Sequence, residues 1–278
     1  MTLPNFLIIG VQKAGSSWLS EMLGQHPDIY MYPKEIHFFD KGFNWEKGVA
    51  WYENHFTQTN GAKFIGEKTP DYLWANGKGA EDHLPDVHVN IHRTLENPKL
   101  IVILRDPVHR AVSAANHIIR SGRISPLNSL DELLIGGKRH LLDPHGVIDY
   151  GFYRKQLEAY YNYFDSSKIL ILIYEEDVVL NPEAGLKKVC NFLGADDSYH
   201  FSEMGKYVNV GNGSKPWLAI NYYLPSIGKK IRFLDHFLKP FKLRPQEETI
   251  KKLYNIYDKE NKELFELIGR GIDSWKRK

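Results

Sequence analysis

The chain has 278 residues, 42% of them hydrophobic and 25% charged, with a formal net charge of +2. That length can bury a full core, and one large α/β domain is the simplest division of it. The small net charge gives no case for nucleic-acid binding, although it does not oppose an anionic small ligand.

The opening MTLPNFLIIGV has neither the basic leader nor the apolar length of a signal peptide. No stretch of the chain approaches the ~20 apolar residues that a bilayer requires, so a cytoplasmic location is expected. NFLIIGV (5–11) is a near-continuous apolar run, predicted to be a strand buried on both faces. A helical pattern follows over 16–24. KFIGEKT (63–69) is a weaker strand and KLIVILR (99–105) a strong one, followed by a helix over 107–120 with Pro107 in its first turn. The stretch 121–149, rich in Gly, Pro, Ser and His, is the longest weakly patterned connection and is predicted to be a functional lid. Helices are predicted over 153–164, 182–193 and 246–268, with a strand, KILILIYEE, over 168–176. Cys190 lies in the stretch 182–193 as a small core residue. It is the chain's one cysteine, so no internal disulfide forms, which suits a reducing compartment. Strands alternating with helices point to a three-layer α/β fold, a central parallel sheet with helices on both faces, in a single domain over 1–278.

GVQKAGSSWL (10–19) follows the first strand and keeps the G-x-x-x-x-G frame of a phosphate-binding loop in Gly10 and Gly15. A strand feeding a glycine turn into a helix aims backbone N–H groups and the positive helix end at one point, which makes an anion site. In a nucleoside triphosphate site a lysine follows the second glycine. Here Ser16 stands there, and Lys13 lies inside the loop, so the frame suits a shorter anion. A glycine turn with a surface lysine is the alternative. Arg105 ends a buried strand, where open α/β sheets bind ligands, and Ser113 follows on the next helix. An arginine fork with a hydroxyl receives a terminal phosphate; pairing of Arg105 with Asp106 is the alternative. No spacing of His, Cys, Asp or Glu indicates a metal site.

GVQKAGSSWL, KEIHFFD, GEKTPDYL, LIVILRDPVHRAVS and ILILIYEEDVVLNPEAGLKKVCNFLG, in this order, resemble the sulfotransferases that use 3′-phosphoadenosine 5′-phosphosulfate (PAPS). The likeness is closer to the heparan sulfate 3-O- and N-sulfotransferase domains and their bacterial relatives. It implies a P-loop nucleoside triphosphate hydrolase-like sulfotransferase fold, PAPS as donor, no metal, and a hydroxyl or, as second choice, an amine acceptor on a small molecule or saccharide. By the same likeness Lys13, Ala14, Gly15, Ser16, Ser17 and Trp18 hold the 5′-phosphosulfate, Lys13 also acting in catalysis by stabilising the bridging oxygen as it leaves, and Arg105 and Ser113 hold the 3′-phosphate. Gly213, Ser214 and Lys215 close over it. Lys68 faces the transferred group, unless it pairs with Glu67. Glu35 is the general base, with His37 beside it.

Two positions depart from the pattern. Pro70 stands where the cytosolic small-molecule branch has a basic histidine; the glycan branch uses the glutamate of this KE-x-HFFD segment instead, and that resemblance implies Glu35. Pro216 follows Lys215, where the glycan branch continues with Gly and Arg. The basic, aromatic stretch 215–244, with Trp217, Tyr222, Tyr223, Phe233 and Phe237, reads as a solvated face, an acceptor edge or a membrane-surface patch. A P-loop kinase and a nucleotide-binding module without catalysis remain the competing functions. The sequence leaves the acceptor's identity and the oligomeric state open.

Overall fold

The computed structural model describes residues 2–75, 82–205, 213–230 and 242–275. Five strands form one sheet in the order β2-β3-β1-β4-β5: β1 Phe6–Gly10, β2 Ile29–Met31, β3 Phe64–Lys68, β4 Lys99–Leu104 and β5 Ile169–Ile173. All neighbours pair in parallel. The register sets Ile8 beside Lys68 and Leu104 beside Ile173, so the strands end close to one level. Among the described residues the helices are α1 Ser16–Leu23, α2 Gly42–Trp45, α3 Gly48–Glu53, α4 Val87–Thr94, α5 Pro107–Arg120, α6 Leu130–Leu134, α7 Tyr153–Tyr161, α8 Pro182–Leu193, α9 Lys215–Tyr223, α10 Pro225–Lys230 and α11 Glu247–Leu267.

The contacts gather into two compact units. The first comprises Met1–Asp106, Tyr153–Val208 and Glu263–Lys278 and holds the whole sheet; the second comprises Pro107–Phe152 and Asn209–Lys262. In the first, β1 is buried along its length and β4 from Leu100 onward. That burial is why these strands read as unbroken apolar runs rather than alternating ones. Cys190 is buried and free on α8. β2 is an edge strand of only three residues, too short to leave a periodic signal. After β5 the chain takes a π-helical turn, Tyr174–Leu180, where the sequence pattern continued the strand to 176.

In the second unit α5 runs from Pro107 to Arg120 as predicted. The stretch 121–149 is not an open lid. It contains α6 and short 3₁₀ turns, and Leu130, Leu133, Leu134, Leu142, Val147 and Ile148 join α5, Leu253 and Tyr257 in one apolar cluster. Leu130, Leu133 and Leu134 stand at helical spacing, but α6 is only 5 residues long, too short a pattern to stand out in the sequence, and these leucines anchor the connection. Within this unit Trp217 is buried on α9, and its indole N–H donates to Gly228 O at 3.1 Å, so this ring is packing rather than acceptor edge. Tyr223 is exposed. Phe233 and Phe237 lie outside the described residues.

Candidate active site

The sheet order reverses at β1, where the chain leaves β3 on one side and enters β4 on the other. In parallel α/β sheets the crevice at such a point, beyond the carboxyl ends of the strands, is where ligands bind. Each strand of the first unit delivers one piece of the site there: the loop after β1, Glu35 and His37 after β2, Lys68 at the end of β3, Arg105 after β4 and Tyr174 after β5.

The β1 loop turns through two left-handed residues, Lys13 at φ 73° and Gly15 at φ 90°. A Cβ on Gly15 would stand 3.2 Å from the Tyr174 ring and 3.3 Å from Val178, so the position needs glycine both for conformation and for space. The first turn of α1 has no side-chain cap and no acidic residue, which leaves its positive end uncompensated. Ser16 is buried and Ser17 half-buried at that end. Ala14 is fully buried and its N–H donates to Val11 O at 3.2 Å. Trp18 is buried too, its indole N–H donating to Met204 O at 2.9 Å. The Ala14 backbone and the Trp18 indole therefore hold the loop's shape.

Arg105 reaches back to this loop. Its Nη1 donates to Lys13 O at 2.7 Å, its guanidinium lies 4.7 Å from the centre of the Tyr174 ring, and its own carbonyl accepts from Tyr153 Oη at 2.7 Å. Its Nε is buried without a partner, a donor in a site that can take an anion. The neighbouring Asp106 N–H donates to Glu175 Oε1 at 3.1 Å. Ser113 lies half-buried on α5 in the second unit. In that unit Gly213 and Ser214 are buried and Lys215 is exposed. Ser214 Oγ caps α9 by accepting from Trp217 N at 3.3 Å. Pro216 occupies the first turn of that helix, where proline costs no hydrogen bond.

Lys68 joins the donor loop to the base. Its Nζ donates to Ser17 Oγ at 3.2 Å and to Glu35 Oε1 at 2.8 Å. Glu67, the alternative partner, points the other way because successive residues of a strand face opposite sides. It is fully buried, accepting from Tyr52 Oη at 2.7 Å, Tyr72 Oη at 2.8 Å and Thr69 Oγ1 at 3.0 Å. Burial pushes its carboxyl up, against those hydrogen bonds, to about 7. Tyr72 Oη also accepts from Phe38 N at 3.0 Å, so Glu67 braces the segment that carries Glu35 and His37.

His37, at φ 53°, stands 3.5 Å from Glu35 Oε2 through Nε2 and 2.9 Å from Asp40 Oδ2 through Nδ1. Asp40 is fully buried, and its Oδ1 has no partner. Burial lowers the His37 pKa, but hydrogen bonds to Asp40 and Glu35 and the charges of Asp40 and Asp71 outweigh it and raise it to about 10. For Glu35 burial pushes the pKa up, and the His37 hydrogen bond with the charge and hydrogen bond of Lys68 bring it down to about 2. Burial beside IHFF alone would raise it; the two cationic partners reverse the sign. Ligand atoms of His37, Asp40 and Asp71 lie within 4.8 Å of one another, although His37 Nδ1 already bonds Asp40. Asp40, Tyr174 and the Glu67 network escaped sequence reasoning. Asp40 alone left a signal, three residues beyond His37 in KEIHFFD.

A profile of the sulfotransferase domain matches residues 3–239. The chain belongs to the sulfotransferase domain family. Mouse heparan sulfate glucosamine 3-O-sulfotransferase 3B1 is 31% identical over 208 residues, 72% of this chain and 50% of that protein. Its human counterpart is 30% identical over 261 residues, 89% of this chain and 63% of that protein. The sulfotransferase domain described here thus spans about half to two thirds of the length of these relatives. A sulfotransferase from Alicyclobacillus acidocaldarius shares its fold at a TM-score of 0.72, with 22% identity and full coverage of both chains. No helix among the described residues is long and apolar enough to cross a membrane.

Proposed function

We propose that this domain transfers a sulfuryl group from PAPS to a hydroxyl, or as second choice an amine, of a saccharide or small-molecule acceptor. The observation that carries the reading is Lys68 Nζ, held between the donor loop at Ser17 Oγ and the carboxylate of Glu35. One ammonium thus touches the group that would receive the donor and the group that would deprotonate the acceptor. The unpartnered Arg105 Nε, the uncapped α1 and the tight Gly15 turn fit a phosphorylated nucleotide.

PAPS supplies a sulfuryl group on a phosphate leaving group. The acceptor oxygen forms a bond to sulfur as the bond to the bridging oxygen breaks, the electron pair going to the 5′-phosphate and the acceptor's proton to Glu35. Such loose, in-line transfers depend on positioning and charge stabilisation. Lys68 and the α1 N-terminus place positive charge where the leaving oxygen develops negative charge. As Lys68 turns from Glu35 toward that charge, a cause of the low Glu35 pKa is withdrawn, and the carboxylate gains basicity when the proton must move. His37, held by Asp40, keeps the carboxylate oriented.

A P-loop kinase would need a lysine where Ser16 stands. Calorimetry separates the two: 3′-phosphoadenosine 5′-phosphate (PAP) should bind with or without a chelator and far more tightly than ATP. Metal-dependent ATP binding of equal strength would overturn the reading. Turnover with labelled PAPS against sugars, alcohols and amines then fixes the acceptor. A cytoplasmic location is proposed alongside, supported by the lone Cys190, and fractionation of cells expressing the protein tests it.

A further inference from the structure

Within the second unit α9 and α10 form a tight hairpin. Gly228 of α10 comes so close to α9 that a Cβ on it would lie 2.6 Å from Asn221 Cα. Its carbonyl accepts from the buried Trp217 indole, and Asn221 Nδ2 ties the hairpin to α5 by donating to Arg120 O at 3.3 Å. The bend between the two helices is therefore a braced tip, and it is apolar: Tyr223 is 56% exposed, Leu224 53% and Ile227 48%. Tyr223 Oη meets Ser125 Oγ at 3.1 Å, and Leu127, two residues further on, is 72% exposed. Lys229 and Lys230 follow directly, both exposed and neither paired with a carboxylate among the described residues.

A single exposed leucine is ordinary on a protein surface, but three large apolar side chains within five residues, on a braced hairpin, mark a contact surface. Its charge selects the partner. From 215 to 244 the sequence holds seven Lys or Arg against one acid, Asp235, interleaved with leucines and aromatic residues. A second copy of the chain would bring that basic excess against itself, and a soluble anion would leave the apolar tip in water. An anionic lipid surface satisfies both features, taking the apolar side chains at its acyl boundary and the lysines among its headgroups. We propose that the α9–α10 tip docks this protein on the surface of an anionic bilayer, as a peripheral contact that does not span it. This docking goes beyond the sulfotransferase reading and does not depend on it.

Flotation of the full chain with vesicles tests it, using phosphatidylcholine alone or mixed with about one quarter phosphatidylglycerol, at low and at high salt. Wild type should float with the mixed vesicles at low salt, far less with phosphatidylcholine alone, and less again as salt rises. Lys229→Gln/Lys230→Gln should weaken binding about 25-fold, from about fivefold for each lysine at such a surface. Leu224→Ser/Ile227→Ser should weaken it by at least about tenfold, because the apolar side chains no longer enter the acyl boundary. Both variants change only exposed side chains, so thermal unfolding should match wild type, and if one of them melts early the other still reads the tip. Equal binding to both kinds of vesicle, no binding to either, or wild-type binding by the two variants would overturn the docking. Loss in the glutamine variant with full binding by the serine variant would reduce the tip to a general polyanion surface and overturn the apolar insertion. Self-association of wild type without vesicles, abolished by the serine substitutions, would assign the tip to a second copy instead.

Discussion

Glu67 offers a test of the brace beneath the site. Its carboxyl is fully buried with a pKa raised to about 7 by burial, despite three hydroxyl donors. A folded-state pKa above the unfolded one means that the native chain holds this proton more tightly, so the contribution is present at low pH and is lost as pH rises through the window from 4.5 to about 7. The rise from 4.5 to about 7 corresponds to about 3 kcal/mol, at about 1.4 kcal/mol for each tenfold change in proton affinity. Glu67→Gln keeps shape and one acceptor oxygen but cannot titrate. Urea unfolding of wild type and variant at several pH values gives midpoints whose difference cancels every other titrating group. Wild type should lose about 3 kcal/mol relative to Glu67→Gln between about pH 4 and pH 8. Parallel stability curves for the two proteins would refute a raised Glu67 and the role of burial in it.

Further outcomes follow from the site. Glu35→Gln should lower kcat by about 10²–10⁴-fold, the usual contribution of a positioned base, with PAP affinity nearly unchanged; near-normal turnover there, with loss in His37→Ala, would move the base to His37. Lys68→Met removes one of the two groups that hold the Glu35 carboxyl down, so the acid limb of kcat/KM should move to higher pH. An unmoved limb would mean that Lys68 does not set the ionisation of Glu35. Arg105→Ala should weaken PAP by about 1.5–3 kcal/mol, the worth of a charge-assisted hydrogen bond, and AMP much less. Equal losses by calorimetry would place the 3′-phosphate contact elsewhere.

The strands that build the crevice were legible because burial on both faces leaves apolar runs that need no periodicity to be seen. α5 was legible from Pro107 at its start, and α8 likewise from Pro182. β2 was not, since three residues at a sheet edge carry no pattern. Lys13, Ser17, Glu35, His37, Lys68 and Arg105 could be named from motifs alone, but their ionisation could not. The sign of the Glu35 shift depends on two distances, to Lys68 and to His37, that no spacing encodes. The Glu67–Lys68 pairing was avoidable on strand geometry, because adjacent side chains of β3 leave opposite faces.

The central strand also sets when the site can exist. β1 is made first, yet both of its neighbours come from chain synthesised much later, β3 at Phe64–Lys68 and β4 at Lys99–Leu104. Until the ribosome has released all three, FLIIG is an unpaired apolar segment with two naked edges, the kind of segment that sticks to others of its kind. Pairings this distant along the chain also slow folding. The topology that converges five strand ends on one crevice therefore leaves β1 without partners until β3 and β4 have emerged, and expression yield should respond to chaperones that shield extended apolar chain more strongly than the stability of the finished fold would suggest.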